Sequence, residues 1–224
     1  MTDGWQRGII LSAPNGGRPG GPCIVKIGGS LLAAPDWPKR LARLLHEESD
    51  GRPRLLVVGG GAVVDGLRRI DATSPQPQAL MHRLAIEAMG MTGRLVAASL
   101  GLPFVTAPRD DAAAVLDVPA WLDQDGRFAA LPVGWHVTSD SIAAFAAATL
   151  RADLLLAKSV PPPRLPAGEP LLELLAGAGW IDPFFPEAAA EVERIAWACP
   201  ASVPPPAVGR TSGEGLGPGR GGVA

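Results

Sequence analysis

The stretch VKIGGS at residues 25–30 decides the fold, because it joins a buried strand to a turn of two glycines. Residues 23–27 are apolar apart from Lys26, a pattern typical of a strand covered on both faces of a parallel sheet. The chain has only three lysines, at positions 26, 39 and 158, and otherwise uses arginine for positive charge. Lys26 and Lys158 both end predicted strands beside glycine or serine, where a compact positive charge suits a phosphate group.

Strands and helices alternate outward from this stretch. Apolar runs predict further strands over residues 55–58, 103–106 and 153–157. Helical spacing of apolar residues predicts helices over residues 36–48, 62–71, 77–100, 109–116, 141–150, 170–176 and 187–198. Turn residues in the segment 121–135 predict a hairpin or an irregular loop there. The alternation predicts the α/β class, with right-handed connections between parallel strands.

Composition narrows the classes of function. The chain of 224 residues has a net charge of -2, which gives no reason to expect a nucleic-acid partner. No apolar run reaches the roughly 18 residues that a membrane span needs. We find no secretory signal pattern, and two isolated cysteines at positions 23 and 199 suit a cytoplasmic protein with reduced thiols. Glycine and proline are concentrated at the ends, which predicts flexible tails over residues 1–21 and 200–224 around one domain, residues 22–199.

Three further motifs contain residues that could form a phosphate site together with residues 25–30. Three glycines at positions 59–61 precede a predicted helix, whose N-terminus would favour an anion, although the same glycines would also serve as a plain turn. Asp65 and Arg68 follow on one helical face, either as a surface ion pair or as substrate contacts. The polar cluster TSDS at residues 138–141 caps the next helix or supplies a functional carboxylate. An unpaired Lys26 at the end of a buried strand would be costly without an anionic partner.

The chain resembles the amino acid kinase superfamily in four segments that occur in the expected order. These are VKIGGS at 25–30, VVGGG at 57–61, TSDSIAA at 138–144 and LLLAKSV at 154–160. A narrower likeness, to the branch that acts on aminomethyl-furanmethanol phosphate in methanofuran synthesis, rests on residues 64–68, 82–89 and 135–141. The chain has neither a GxxxxGK[ST] loop nor a GxGxxG dinucleotide fingerprint. The resemblance spans about residues 22–160 and implies a three-layer αβα sandwich around a mainly parallel sheet.

The resemblance also implies roles for particular residues. Three of them would be catalytic, with the carboxylate orienting both lysines: Lys26, Asp140 and Lys158. A second group would bind nucleotide and phosphate: Gly28, Gly29, Ser30, Thr138 and Ser139. A third group would bind the acceptor substrate: Gly59, Gly60, Gly61, Asp65, Arg68 and His82. ATP and Mg²⁺ would be the cofactors, with no metal site built from the protein alone. The partner would be a small-molecule substrate, without nucleic acid or membrane, and a homo-oligomer stays open.

The expected activity is transfer of the γ-phosphoryl group of ATP to a small acceptor. The narrower likeness implies a phosphate monoester, such as aminomethyl-furanmethanol phosphate, in the synthesis of a methanofuran-type one-carbon cofactor. Cationic groups are available for such an acceptor at Arg68, Arg69, His82 and Arg83. Two alternatives remain open: a carboxylate kinase of the amino-acid type, and a catalytically silent, nucleotide-sensing relative. His136 stands where the superfamily pattern has an aspartate, so no role is transferred to it.

Overall fold

A seven-stranded sheet forms the centre of the molecule. The computed structural model describes residues 4–12, 21–48, 51–109, 113–161 and 171–201, with the backbone alone for residues 9–12. The strands are β1 (Trp5–Ser12), β2 (Cys23–Ile27), β3 (Arg54–Val58), β4 (Phe104–Val105), β5 (Ala113–Leu116), β6 (Asp153–Ala157) and β7 (Arg194–Pro200). Their order across the sheet is β1-β7-β6-β2-β3-β5-β4. All neighbouring pairs are parallel except the edge strand β1, which is antiparallel to β7.

Helices cover both faces of this sheet. They are α1 (Trp37–Glu47), α2 (Gly61–Thr73), α3 (Gln78–Leu100), α4 (Val118–Leu122), α5 (Ser139–Leu150), α6 (Leu171–Gly177) and α7 (Phe185–Ala188). Two short 3-10 helices span Gly29–Ala33 and Arg127–Ala130. This arrangement is a three-layer αβα sandwich around a mainly parallel sheet, which confirms the predicted fold class. None of the helices in the described residues is long and apolar enough to cross a membrane.

The alternation of side chains along β2 explains how a lysine fits into a buried strand. Ile24 packs in the core that contains Ile142 of α5, whereas Val25 and Ile27 pack with Leu41 of α1 on the other face. Successive side chains of a strand point to opposite faces, so Lys26 points to the same side as Ile24, toward α5. The parallel register with β3 and β6 aligns this lysine with apolar neighbours on both sides. Its charged end therefore needs a partner from α5.

The sequence patterns predicted the wrong structure on the β1–β7 side of the sheet. Residues 5–12, predicted as part of a flexible tail, form β1, which pairs along β7 from Trp5↔Pro200 to Ser12↔Arg194. Most of the helix predicted over residues 187–198 is wrong, because Arg194–Pro200 form a strand whose apolar side chains are buried beside β6. The alanines in this run favour a helix locally, but burial between two sheet neighbours decides the conformation. Residues 1–3, 13–20 and 202–224 of the predicted tails lie outside the described residues.

One other local prediction also needs correction. The helix predicted over residues 109–116 is wrong at its described end, where Ala113–Leu116 form strand β5. In the segment 121–135, predicted as a hairpin or an irregular loop, the structure has the loop, with one 3-10 helix and no paired strands. Helix α3 continues unbroken through Gly90 and Gly93, and both glycines allow close contacts. A Cβ atom on Gly90 would lie 2.9 Å from Pro119 Cγ, and one on Gly93 would lie 3.1 Å from the Phe104 ring.

Candidate active site

The glycine loops that follow β2 and β3 touch each other directly. A Cβ atom on Gly29 would lie 2.2 Å from the backbone N of Gly61, and one on Gly59 would lie 2.7 Å from Ser139 Oγ. Gly61 itself has a φ of +52°, a conformation that favours glycine. The Gly59 N–H donates to the Ile27 carbonyl at 2.9 Å, which ties the second loop to the end of β2. Glycine is therefore required here for the packing of two loops at the carboxyl ends of the strands.

Beside these loops, Asp140 lies between the two strand-end lysines. Lys26 Nζ is 2.7 Å from Asp140 Oδ1, and Lys158 Nζ is 2.5 Å from Asp140 Oδ2. Lys26 and Asp140 are each only 5% exposed. The parallel register of β2 and β6 brings the two lysines to the same edge of the sheet, and α5 brings the carboxylate to them. The structure thus assembles the three residues predicted as catalytic into one buried ionic cluster.

The charges of this cluster do not balance. Burial alone would raise the pKa of Asp140, but the Lys26 and Lys158 ammonium groups outweigh it and hold the pKa below the ordinary 3.8. Burial lowers the pKa of Lys158 below the ordinary 10.5, although attraction to Asp140 opposes that shift. Two ammonium groups consequently share one directly paired carboxylate in a buried position. Buried charge of this kind is costly until an anion completes the pairing.

Lys158 is also held by the C-terminal part of the chain. Its Nζ donates to the Trp180 carbonyl and lies 5.1 Å from the centroid of the Trp197 ring, a cation–π contact. The two indole rings meet edge to face, and Trp197 Nε1 donates to the Val160 carbonyl at 2.9 Å. Trp180 and Trp197 therefore fix the position of this lysine. The sequence patterns predicted no site residue after Lys158.

A cleft of about 230 Å³ lies at the glycine loops. Ten of the fourteen predicted site residues line it: Gly29, Ser30, Gly59, Gly60, Gly61, Asp65, Arg68, His82, Thr138 and Ser139. Its apolar wall comes from Val64, Ala85, Ile86, Met89, Trp135, Val137 and Ile142. Gly28 does not line the cleft but lies beside the ionic cluster, since a Cβ atom there would be 3.7 Å from Lys26 Nζ. The cleft is smaller than the roughly 300–1,000 Å³ typical of drug-sized ligands.

Arg68 contributes positive charge to the wall of the cleft. Its guanidinium lies 5.1 Å from the centroid of the Trp135 ring and 3.4 Å from Asp65 Oδ1. Trp135 is fixed in turn, because its Nε1 donates to Asp71 Oδ2 at 2.7 Å. This hydrogen bond is the main reason that the pKa of Asp71 is lowered. The pair Arg68 and Asp65 is largely exposed, so their attraction is weak and leaves the guanidinium able to bind an anion.

Two other side chains proposed to bind an acceptor, Arg69 and Arg83, do not line the cleft. Arg83 makes two hydrogen bonds to Asp123 and another to Glu87, outside the residues that line the cleft. Arg69 donates to the Asp65 carbonyl and also lies outside that set. Of the two arginines of helix α2, only Arg68 faces the cleft.

His82 lines the cleft as an uncharged group. Burial lowers the pKa of its imidazole, although its contact with Gly134 opposes the shift. Its Nδ1 lies 3.3 Å from the Gly134 carbonyl and 3.4 Å from the Gly134 N atom, while the ring packs edge-on against Phe128. Nε2 is buried and has no hydrogen-bond partner among the described residues. A neutral imidazole suits a hydrogen bond to a polar group better than neutralisation of a phosphate.

Thr138 caps helix α5, as one reading of the sequence predicted. Its Oγ1 accepts from the Asp140 N–H at 3.3 Å, which satisfies a donor in the first helical turn. The same hydroxyl donates to Asp182, a buried carboxylate that the sequence analysis did not identify. Ser139 keeps its side chain at the glycine loop, and Ser30 Oγ lies 3.0 Å from Ser159 Oγ across the ends of β2 and β6. Nothing in the local sequence around residue 182 signals its contact with α5.

Metal binding by the protein itself has no candidate in the part of the chain that the structure describes. No three of its histidine, cysteine, aspartate and glutamate side chains lie close enough together to hold an ion. Asp140 is engaged by two lysines, and Asp65 is paired with Arg68. Any Mg²⁺ at this cleft would therefore depend on oxygen atoms of a bound phosphate ligand and on water, which is a common arrangement for this ion.

Comparison with known proteins supports the same architecture. Residues 21–117 match the sequence model of the amino acid kinase family, a region that runs from β2 to β5. The structure resembles uridylate kinase from Archaeoglobus fulgidus, with 14% identity and a TM-score of 0.55 over 79% of this chain and 90% of that one. It also resembles aspartate kinase from Synechocystis, with 18% identity and a TM-score of 0.54 over 81% of this chain. The fold is of the amino acid kinase type.

These comparisons show the fold of the chain but do not show its substrate. The chain spans 40% of the length of the Synechocystis aspartate kinase. At identities of 14% and 18%, likeness to the two solved structures shows a shared fold and not a shared substrate. No curated protein sequence matches the chain significantly. The activity must consequently be argued from the side chains at the cleft of this amino acid kinase fold.

Proposed function

We propose that this protein is an ATP-dependent kinase that transfers the γ-phosphoryl group to a small acceptor. The observation that carries the proposal is the buried cluster in which Lys26 and Lys158 share Asp140. Its unbalanced positive charge lies at the carboxyl ends of parallel strands, where α/β proteins bind their ligands. The match of residues 21–117 to the amino acid kinase family gives independent support.

The mechanism requires positioning and charge stabilisation more than proton transfer. In phosphoryl transfer, the attacking and leaving oxygens are roughly in line, and negative charge spreads over the equatorial oxygens. Lys26 and Lys158 would neutralise that charge, while Asp140 holds both ammonium groups in place. Gly29, Ser30 and residues 59–61 would contact the phosphates at the cleft. Mg²⁺, carried on the phosphates of ATP, would supply further charge neutralisation.

The acceptor that we propose is a phosphate monoester, such as aminomethyl-furanmethanol phosphate in methanofuran-type cofactor synthesis. Arg68 supports an anionic acceptor, because its guanidinium lies in the wall of the cleft and is stacked on Trp135. The apolar wall formed by Ile86, Met89 and Trp135 suits a compact apolar body on the same molecule. The small volume of the cleft favours such a compound over a complete nucleotide.

A carboxylate acceptor, of the kind used by amino-acid-type kinases, is the second candidate. One guanidinium is sufficient to bind a carboxylate through two parallel hydrogen bonds. Arg68 is the only arginine among the residues that line the cleft, and its contact with Asp65 reduces the charge that it offers. This observation is the one that supports the carboxylate candidate, because one partly neutralised guanidinium matches a single negative charge.

ATP turnover with a panel of acceptors tests both candidates. Release of ADP would be followed with small phosphate monoesters, with diphosphate formation checked by ³¹P NMR, and in parallel with amino acids and other carboxylates. Turnover of monoesters alone supports the proposal, whereas turnover of carboxylates alone replaces the acceptor and keeps the kinase. Binding of ATP without turnover of any acceptor would support a nucleotide-sensing protein instead. A protein that binds no ATP would contradict the kinase proposal altogether.

A further inference from the structure

Asp182 is a buried carboxylate between α6 and α7 that accepts five hydrogen bonds. Its Oδ2 accepts from Thr138 N at 3.0 Å, from Thr138 Oγ1 at 2.6 Å and from Ser141 N at 3.1 Å. Its Oδ1 accepts from Ser141 Oγ and from Phe184 N, the latter at 3.2 Å. Four of these five donors belong to the start of α5. A residue of the segment between α6 and α7 therefore fixes the first turn of a helix some 40 positions earlier.

The same short segment also contacts Lys158. The carbonyl of Trp180, two residues before Asp182, accepts a hydrogen bond from the Lys158 ammonium. Asp140 lies on the first turn of α5, between the two residues that donate to Asp182, and pairs with Lys158 at 2.5 Å. Segment 180–182 consequently holds both members of the ion pair, one through its backbone and the other through a side chain.

We propose that Asp182 is a positioning residue for the Lys158–Asp140 pair, locking the first turn of α5 onto the segment that holds Lys158. Helix α5 already has its own N-cap in Thr138, so capping alone does not account for a second, charged acceptor at this end. The carboxylate interacts favourably with the positive end of the helix dipole and satisfies two backbone donors at once. Asp182 reaches the cleft only through other residues, since it is absent from the groups that line it.

The charge of Asp182 also acts on Lys158 directly. Burial and the Lys26 ammonium lower the pKa of Lys158, while the carboxylates of Asp140 and Asp182 raise it. These are the charged groups that face Lys158 from β2, from α5 and from the segment after α6. Removal of the Asp182 charge should therefore lower the pKa of Lys158 further. A residue that only stabilised the fold would leave this pKa unchanged in molecules that remain folded.

Lysine side-chain NMR measures this effect without any assumption about activity. The chain contains only three lysines, so ¹³C- or ¹⁵N-labelled lysine gives three signals, and Lys39→Arg identifies the exposed one. Asp182→Asn is the informative variant, because an amide keeps an oxygen acceptor for Thr138 and Ser141 while it removes the charge. We expect the midpoint of the Lys158 titration to move to lower pH in this variant. An unmoved midpoint in a folded protein would overturn the proposal.

Asp153→Asn is the matched control. Asp153 is another largely buried carboxylate, paired with Arg52 at 2.7 Å, but it begins β6 while Lys158 follows the end of that strand. Its replacement is expected to lower stability and to leave the Lys158 titration where it is. An equal shift in both variants would mean that Lys158 reports general loosening of the fold, and the positioning role would be wrong.

Kinetics provide the second arm, which rests on the proposed kinase function. Asp182→Asn should lower kcat by about tenfold to hundredfold, the range found when groups that orient metal ligands are removed, with a smaller change in KM for ATP. In the pH dependence of kcat of this variant, the alkaline limb should move to lower pH, because it follows the deprotonation of Lys158. Asp182→Glu, which restores the charge, should return that limb toward the wild-type position. Unchanged kcat in both variants would refute the positioning role.

Ser141→Ala keeps the proposal testable if Asp182→Asn does not fold. Ser141 is fully buried and lies outside the residues of the cleft, so loss of its hydroxyl affects catalysis only through Asp182 and α5. We expect a lower kcat, whereas Thr149→Val, at the exposed far end of α5, should leave kcat unchanged. Equal activity of the two variants would contradict the proposal. If the wild type turns over no acceptor, the proposed kinase function fails, while the NMR titration still decides the role of Asp182.

Discussion

Replacement of Lys26 by methionine should lower kcat roughly 10²–10³-fold without unfolding the protein. Methionine has similar length and suits a buried position, so the change removes the charge of the ammonium group and little volume. Lys158 remains paired with Asp140 at 2.5 Å, and the cluster changes from two cations and one anion to a balanced pair. The stability of the free protein is therefore expected to stay the same or to increase.

The expected loss of activity follows from the proposed role of the lysine. Removal of one preorganised donor that stabilises transition-state charge costs about 2.7–4 kcal/mol, or roughly 10²–10³-fold in kcat. Lys39→Met is the matched control, because it removes the same charge from the exposed face of α1 and should retain wild-type kcat. Steady-state kinetics and thermal melting would be measured on the same preparations. The reasoning is refuted if Lys26→Met keeps wild-type kcat, or if its Tm falls by more than about 5 °C, which corresponds to more than 1 kcal/mol.

The remaining predictions concern stability and the acceptor. Asp140→Asn leaves two buried ammonium groups without a directly paired counter-ion and should cost about 3–5 kcal/mol, or roughly 6–20 °C in Tm. An unchanged Tm in thermal melting would contradict this. The pKa of Asp140 is lower in the folded state than its ordinary value of 3.8. The ionised carboxylate therefore stabilises the folded protein above pH 3.8, and this stabilisation is lost as the pH falls through the pKa of the folded state. Acid titration should thus destabilise the wild type more than Asp140→Asn. Arg68→Ala should raise KM for the anionic acceptor by about tenfold to hundredfold and leave KM for ATP nearly unchanged. Arg69→Ala is its control on the same helix, and equal effects of the two would exclude a specific role for Arg68.

The sequence was sufficient to predict the sheet centre and the components of the cleft. Residues 23–27, 55–58 and 153–157 are apolar runs of strand length that end in glycine or lysine, so local pattern and tertiary role agree. Parallel strands in one sheet bring their carboxyl ends to one edge, which is why Lys26 and Lys158 meet although 132 positions separate them. The polar cluster at Ser139 begins a helix, as its capping residues indicated.

The β1–β7 side of the sheet and the residues that support the ionic cluster could not be predicted in the same way. The run IAWAC at residues 195–199 has alanines that favour a helix, and only burial beside β6 makes it a strand. Trp5 and its neighbours carry no strand signal strong enough without the partner strand β7. Asp182 has no motif around it, and its role depends on contacts with Thr138 and Ser141 that arise only in the folded chain. Such long-range contacts are where sequence patterns carry least information.

The opposite effects expected for Lys26→Met and Asp140→Asn have one cause. In the free protein, two ammonium groups share one directly paired carboxylate at a buried position, so the loss of a cation relieves the imbalance and the loss of the anion increases it. A cluster that served stability alone would be weakened by either change, because Lys26→Met removes one ion pair and Asp140→Asn removes two. Tolerance of the first change and sensitivity to the second therefore distinguish a site that awaits an anion from a structural salt bridge. The polyphosphate of ATP, adjacent to glycine loops that leave room for it, is the anion that this imbalance fits best.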